Sequence, residues 1–215
     1  MRNDIEAYWQ ERQIPYLLHF TRAENLPSIL HVGLRPRSEI DDGNFGGVVN
    51  DELRLDGRRH FNCLSITFPN SLMFHRFKSD NPGTDWPILV VHPGIMSRRN
   101  ALFCWQNAAS NEISHAPDAE LTSLAAFQGL FEERAGHPTR AQQFLKTCDP
   151  THLQAEVMVE GVIPPNAIYC VIFPSVPCQQ QYAGIVGQRQ SIVSGRRGFY
   201  GTRQYYRQWG EGKNG

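Results

Sequence analysis

Gln154-Ala-Glu-Val-Met-Val-Glu-Gly-Val-Ile-Pro-Pro-Asn-Ala-Ile-Tyr-Cys-Val-Ile-Phe173 is the stretch that decides the fold. Ala155–Val159 and Ile168–Phe173 are rich in β-branched residues and read as strands, punctuated by Gly161 and the Pro164-Pro165 turn. Working outward, Tyr16–Phe20, Asn62–Phe68 and Pro87–His92 read as further strands. Asn3-x-x-Glu6 has the form of a capping box opening a short helix. A second helix carries Leu26, Ile29 and Leu30 on one face, with Pro27 in its first turn and Gly33 as its terminator. Asp118–Ala135 is the strongest helical pattern, with Leu121, Leu124, Phe127 and Phe131 along one side and Gly136 at its end. Residues 36–60 form a polar, Gly-rich loop, and past Pro177 the chain reads as irregular. Strands and helices mix without regular βαβ alternation. The sequence therefore predicts α+β with a mostly antiparallel sheet.

The 215 residues fit one domain, 1–215, with a core over 14–175 and a basic, aromatic segment over 176–215. Hydrophobic residues at 40% and charged ones at 20% describe a globular chain able to bury a core. No run approaches the roughly 18 apolar residues of a membrane span, and the N-terminal stretch lacks the pattern of a secretory signal. Cys63, Cys104, Cys148, Cys170 and Cys178 are odd in number and form no CxxC pair. That argues against a disulfide framework or a zinc site and for a reducing cytoplasm. The net charge of zero hides an asymmetry. Glu112–Glu160 holds eight acidic residues against three basic, whereas Ala183–Gly215 holds six basic against one acidic. Such segregation can steer an anionic partner.

Motifs exclude more than they assign. Neither G-x-G-x-x-G nor G-x-x-x-x-G-K-[ST] occurs, and H-E-x-x-H and G-x-S-x-G are absent too. Period two puts Glu156 and Met158 on the strand face opposite Ala155, Val157 and Val159. The ordinary reading of that pattern is a carboxylate on the solvent face of a half-exposed strand; catalysis is the sharper one. His19, between Leu18 and Phe20, suits either a hydrogen-bonded core histidine or a site residue. Thr21 and Glu24 have capping-box spacing. Arg54 sits in a charge cluster that is usually just solvated. Trp105 offers a stacking surface or a core anchor. Arg203-Gln-Tyr-Tyr-Arg-Gln-Trp209 interleaves cations with rings, which suits single-stranded nucleic acid or a frayed basic terminus.

Taken in order, His19-Phe-Thr21, Glu24-Asn-Leu26, Ile29-Leu30, Gly33-Leu34, Asp51-x-x-Arg54-x-Asp56-Gly57, Cys63-Leu-Ser-Ile-Thr-Phe-Pro-Asn70, Met73, Asn107-Ala-Ala-Ser110 and Gln154-Ala-Glu156-Val resemble the DarT family. These are bacterial toxins that ADP-ribosylate DNA bases and are paired with a macrodomain antitoxin. The resemblance runs from about Leu17 to Phe173. It implies an ADP-ribosyltransferase-like split sheet holding NAD⁺ in a cleft, with no metal. It implies that His19, Thr21 and Asn25 hold the adenosine or nicotinamide-ribose side, and that Ser65, Asn70 and Met73 line the nicotinamide end. Glu156 would be catalytic, together with an arginine that also contacts NAD⁺; Arg54 is the choice, with Arg58 and Arg59 close by. Trp105, Asn107, Ser110 and Arg203 would face single-stranded DNA, with RNA or a protein as the alternative acceptor and a non-catalytic nucleic-acid-binding module as the last. Segments 65–70 and 107–110 are closer to the family's guanine-modifying branch. The expected context is a cytoplasmic monomer acting in a toxin–antitoxin or phage-defence system.

Overall fold

The computed structural model describes residues 2–41 and 57–210. In chain order the elements are α1 (Arg2–Glu11), β1 (Leu17–Phe20), α2 (Leu26–Val32), α3 (Arg37–Asp41), β2 (Phe61–Ile66), α4 (Ser71–Asp80), β3 (Ile88–Val91), α5 (Ile95–Arg98) and β4 (Ala101–Cys104). Next come α6 (Asn111–Ser114), α7 (Asp118–Leu121), α8 (Leu124–Gly129), β5 (Glu156–Glu160), β6 (Ile168–Phe173), α9 (Val176–Val186), β7 (Gln190–Val193) and α10 (Arg203–Tyr205). The strands make one seven-stranded sheet in the order β4-β5-β2-β1-β3-β6-β7. Every pairing is antiparallel except β6 with β7. The expected α+β class with a mostly antiparallel sheet is what the chain forms.

The sheet is continuous in order but split at its centre. β1 registers with β3 at four positions, yet with β2 only at Leu17↔Ile66 and Leu18↔Ser65. From His19 onward the two strands part. His19 Nδ1 then lies 2.9 Å from the Cys63 carbonyl, so an imidazole meets a β2 backbone group where the ladder has ended.

Packing treats the two faces differently. One face carries a single cluster that spans both halves, including Leu17, Leu64, Leu89, Val157, Val159, Val171 and Phe173. The helices α1, α2, α8 and α9 contribute to it through Ile5, Leu26, Ile29, Phe127 and Val186. Phe103 of β4 stacks on Phe127 of α8 at 4.3 Å between centroids, and truncating such a ring typically costs about 3–5 kcal/mol. The other face is divided. Leu18, Phe74, Trp86, Val90 and Ile172 form one cluster, while Phe61, Leu102, Cys104, Ala108 and Met158 form another. Ser65 pairs with Leu18 and Glu156 pairs with Cys104, so the pleat sends both polar side chains to this divided face.

Several local readings hold. α2 ends at Gly33 (φ 102°), where a Cβ would meet the Ile163 carbonyl oxygen at 2.6 Å, so only glycine fits. Pro27 falls in the first turn of α2. Others need correction. Asn3 lies inside α1 rather than capping it. The helix expected over Asp118–Ala135 is two short ones, because Ser123 is extended (φ −73°, ψ 156°) and its side chain accepts the Ala126 N–H. A hydroxyl in mid-pattern thus offers the backbone a cap that the apolar spacing does not reveal. The segment past Pro177 is ordered: Ser175 caps α9, Pro177 sits in its first turn, and β7 joins the sheet beside β6. Tyr200 is buried, its hydroxyl within 2.8 Å of the Trp86 carbonyl and 3.0 Å of the Ile172 carbonyl.

Candidate active site at the split of the sheet

Glu156 opens β5 and is 4% exposed. That overturns the solvent-face reading of its strand. The residues that bury it come from far along the chain. Cys104 pairs with Glu156, and the loop leaving β4 folds back so that the Ala108 N–H donates to Glu156 Oε2 at 2.9 Å. The loop keeps its own shape through Asn107, whose Oδ1 accepts the Ala109 N–H at 2.8 Å and whose carbonyl accepts the Ser110 N–H. A charge-assisted bond from a backbone N–H orients a carboxylate more firmly than a mobile side chain would. The Ser110 Oγ is buried with no partner among the described residues.

Ser65 lies on β2, and its Oγ accepts the Asn70 N–H at 3.1 Å. Asn70 is the N-cap of α4: its Oδ1 accepts the Met73 N–H at 3.2 Å. Its Nδ2 is buried without a partner among the described residues. A buried amide donor left unpaired is uncommon, and such a group suits a ligand that brings a carbonyl acceptor. Met73, half-buried, is in the first turn of the same helix. Between Ser65 and Asn70 stands Thr67, fully buried, at φ 60°. A β-branched residue in that region is a genuine outlier.

On β1's side of the split, His19 is half-buried and Thr21 is 2% exposed. The Thr21 N–H donates to the Pro87 carbonyl, and Asn25 Nδ2 donates to Thr21 Oγ1 at 3.1 Å. No capping box forms, since the N-cap position is Arg22 and has no side-chain cap bond. Ser65 and Glu156 thus share the divided face beside the split, Asn70 follows Ser65 at the start of α4, and His19 meets β2 where β1 leaves it.

The arginine question divides. Arg54 and its charge cluster lie outside the described residues. Arg58 is buried and committed: its guanidinium donates to Asp118 at 2.7 Å and to the Ile113 and Ala116 carbonyls. Arg59 is exposed and pairs with Asp41.

Trp105, half-buried after β4, has the Arg134 guanidinium 4.0 Å over its ring and the edges of His137 and His152 against it. These four residues line a pocket together with Glu132, Gln143 and Thr151. Burial lowers the His152 pKa below its usual value, and His137, Arg203 and Arg134 push the same way. Arg203, expected at the nucleic-acid surface, is 6% exposed. It donates to the Pro150 and Thr151 carbonyls at 2.7 and 3.0 Å and to Gln143 at 2.9 Å, so it serves the fold rather than an open surface. The sequence reading also missed Asp149, whose carboxylate is 0% exposed and meets Thr67 and Arg207. No local pattern marks it, because those partners are 82 and 58 residues away. Among the described residues no group of His, Cys, Asp and Glu could hold a metal ion, and no helix is long and apolar enough to cross a membrane.

A family model described as "ssDNA thymidine ADP-ribosyltransferase, DarT" matches residues 18–200. Among solved structures, Thermosipho africanus DarTG in complex with ADP-ribose is similar at 19% identity and a TM-score of 0.59, over 86% of this chain and 51% of that one. The chain therefore spans about half the length of that relative. Thermus sp. 2.9 DarT in complex with carba-NAD⁺ is similar at 15% identity and a TM-score of 0.53, over 90% of this chain and 98% of that one. The same protein in complex with ADP-ribosylated ssDNA gives 16% identity and a TM-score of 0.54, over 87% and 97%. At these identities the structures establish likeness of fold. No curated protein matches the chain.

Proposed function

We infer the chemistry of this site from one premise: the chain belongs to the DarT family of ssDNA thymidine ADP-ribosyltransferases. It is an NAD⁺-dependent enzyme that transfers ADP-ribose to a nucleobase of single-stranded DNA and releases nicotinamide. The assignment of that reaction to individual residues is our own.

NAD⁺ supplies an activated ribose whose bond to nicotinamide breaks with positive charge developing on the ribose, as in glycoside hydrolysis. Glu156 meets that charge. Its carboxylate is buried at the split with one oxygen fixed by the Ala108 N–H, and this is the observation that carries the assignment. A carboxylate already oriented where charge appears stabilises it without reorganising. Nicotinamide departs as a neutral molecule and needs no acid. Asn70, whose backbone N–H bonds Ser65, carries a buried Nδ2 with no partner among the described residues, and that donor suits the carboxamide oxygen of nicotinamide. His19, Thr21 and Asn25, on the other lip, hold the ribose and adenosine side, and Met73 backs the nicotinamide end.

The acceptor is a ring nitrogen that carries a proton. As the ribose C1′–nicotinamide bond breaks, a C1′–base nitrogen bond forms, and the nitrogen's proton passes to a base and then to water. Glu156 is that base in our assignment, with Arg54 supporting NAD⁺ through its planar fork. We take thymine as the acceptor, on the family's description; this replaces the leaning toward guanine that segments 65–70 and 107–110 suggested. A base modified by an enzyme must be unstacked, which suits a single strand. Trp105, Asn107 and Ser110 border Glu156 through the loop after β4 and are the DNA-facing residues of this assignment, with the Arg134, His137 and His152 pocket beside them.

The partner we propose is a macrodomain antitoxin, in keeping with the similarity to a DarTG chain about twice as long. The test is direct. Purified protein, NAD⁺ and a thymine-containing oligonucleotide should yield the mass of ADP-ribose on the DNA, and Glu156→Ala should abolish it. Label found on protein, or free ADP-ribose with unmodified oligonucleotides, would refute the assignment.

A further inference from the structure

Asp149 joins three parts of the chain that are far apart in sequence. Thr67 Oγ1 donates to Asp149 Oδ1 at 2.5 Å, from the turn that carries Ser65 into Asn70. Arg207, just past α10, grips the same carboxylate with two donors, Nη2 to Oδ1 at 2.5 Å and Nε to Oδ2 at 2.7 Å. The Lys146 N–H donates to Oδ2 at 2.9 Å, closing the loop onto its own aspartate. Arg140 and Arg203 hold the backbone on either side, through the Asp149 and Pro150 carbonyls. That loop ends at Thr151, five residues before Glu156 by their numbers.

The arrangement is costly unless complete. Asp149 and the Arg207 side chain are 0% and 4% exposed, and a buried ion pair stabilises a fold only when its remaining hydrogen-bonding sites are filled. Here each carboxylate oxygen accepts two hydrogen bonds. Burial alone raises the Asp149 pKa, but the bonds from Arg207 and Thr67 outweigh it, and the net shift is downward. Thr67 is held at φ 60° with its hydroxyl on this carboxylate. Strain of that kind persists where the surroundings over-determine it.

We propose that Thr67, Asp149 and Arg207 are positioning residues for ADP-ribose transfer: Asp149 sets the nicotinamide-end turn (Ser65–Asn70) and the approach to Glu156 in fixed relation, and Arg207 locks it from beyond the region the family model matches. None of the three touches substrate. Each acts through Ser65, Asn70 or Glu156. The proposal rests on the site assignment above for what is positioned.

The discriminating experiment uses the full chain with NAD⁺ and single-stranded oligonucleotide, comparing Thr67→Val, Thr67→Ser and Arg207→Lys. Thr67→Val keeps shape and removes the hydroxyl, so kcat should fall about tenfold or more while KM for NAD⁺ stays within about threefold, the pattern of a displaced catalytic geometry. Thr67→Ser restores the hydroxyl and should restore most of kcat. Arg207→Lys keeps the charge but loses the two-pronged grip, and should behave like Thr67→Val. Variants that melt at lower temperature yet turn over at the wild-type rate while folded would overturn the proposal. Amide hydrogen exchange supplies a readout independent of turnover. Residues 66–70 and 146–151 should loosen together in Thr67→Val, with β6 still protected, and independent loosening would also overturn it. If the wild type itself transfers nothing, the site assignment has failed, and the exchange result still decides the linkage.

Discussion

Two segments flank Glu156, one contacting its carboxylate and one preceding it in the chain, and they are built in different ways. The loop after β4, residues 105–110, touches the carboxylate through one backbone N–H and leaves the Ser110 hydroxyl unpaired among the described residues. The segment before β5, residues 146–151, is bound by Arg140, Arg203, Arg207 and Thr67. The first carries one buried hydroxyl without a partner among the described residues, a group that a ligand can complete. The second spends its hydrogen bonds on itself and fixes geometry. On the proposed assignment, recognition and alignment are separated along the chain.

The sharpest way to break that contrast is Glu156→Gln. It keeps size and an acceptor for Ala108, removes the charge, and should cut kcat by about 10² to 10⁴-fold with the fold intact, read by nicotinamide release and circular dichroism. Next comes Arg207→Ala, which leaves the Asp149 carboxylate buried without its cation. Urea unfolding should show a loss of about 3–5 kcal/mol, and a loss under 1 kcal/mol would mean the tight segment is not held as described. Trp105→Ala tests the loose segment and should weaken single-stranded DNA binding by about 1–3 kcal/mol without changing KM for NAD⁺.

A smaller effect lies in acid. The Asp149 pKa is below its ordinary 3.8, so its contribution to stability is complete above that value and fades as pH falls through the depressed one. The stability gap between wild type and Asp149→Asn should therefore narrow below about pH 3.8 in acid titrations, and a gap that stays constant would remove the charged pair from the account. Ser110→Ala should be the mildest. It removes an unpaired hydroxyl and should change stability by no more than about 0.5 kcal/mol.

The strands were legible wherever β-branched residues ran long enough between turn signals, as in β2, β3, β5 and β6. β4 escaped because Ala101–Cys104 is four residues with a single aromatic and no alternation. α9 carried a readable start, Ser175 followed by Pro177, but the polar composition after it masks the helix. At the site, spacing could pair Glu156 with Met158 on one face and say nothing of what lies above them. That cover comes from Cys104 and Ala108, about fifty residues earlier. Only likeness to a family pointed to Glu156. Arg203 shows the reverse error: a basic, aromatic terminus looked like a nucleic-acid surface because composition does not report burial.

The grip of Arg207 on Asp149 also has a consequence in time. Synthesis proceeds from the N-terminus, so a growing chain presents His19, Ser65, Asn70 and Glu156 before Arg207 exists, 58 residues after Asp149. Until that arginine emerges, Asp149 lacks the partner that grips both of its carboxylate oxygens. The grip on Asp149 is therefore a late contact relative to the strands that carry Ser65 and Glu156.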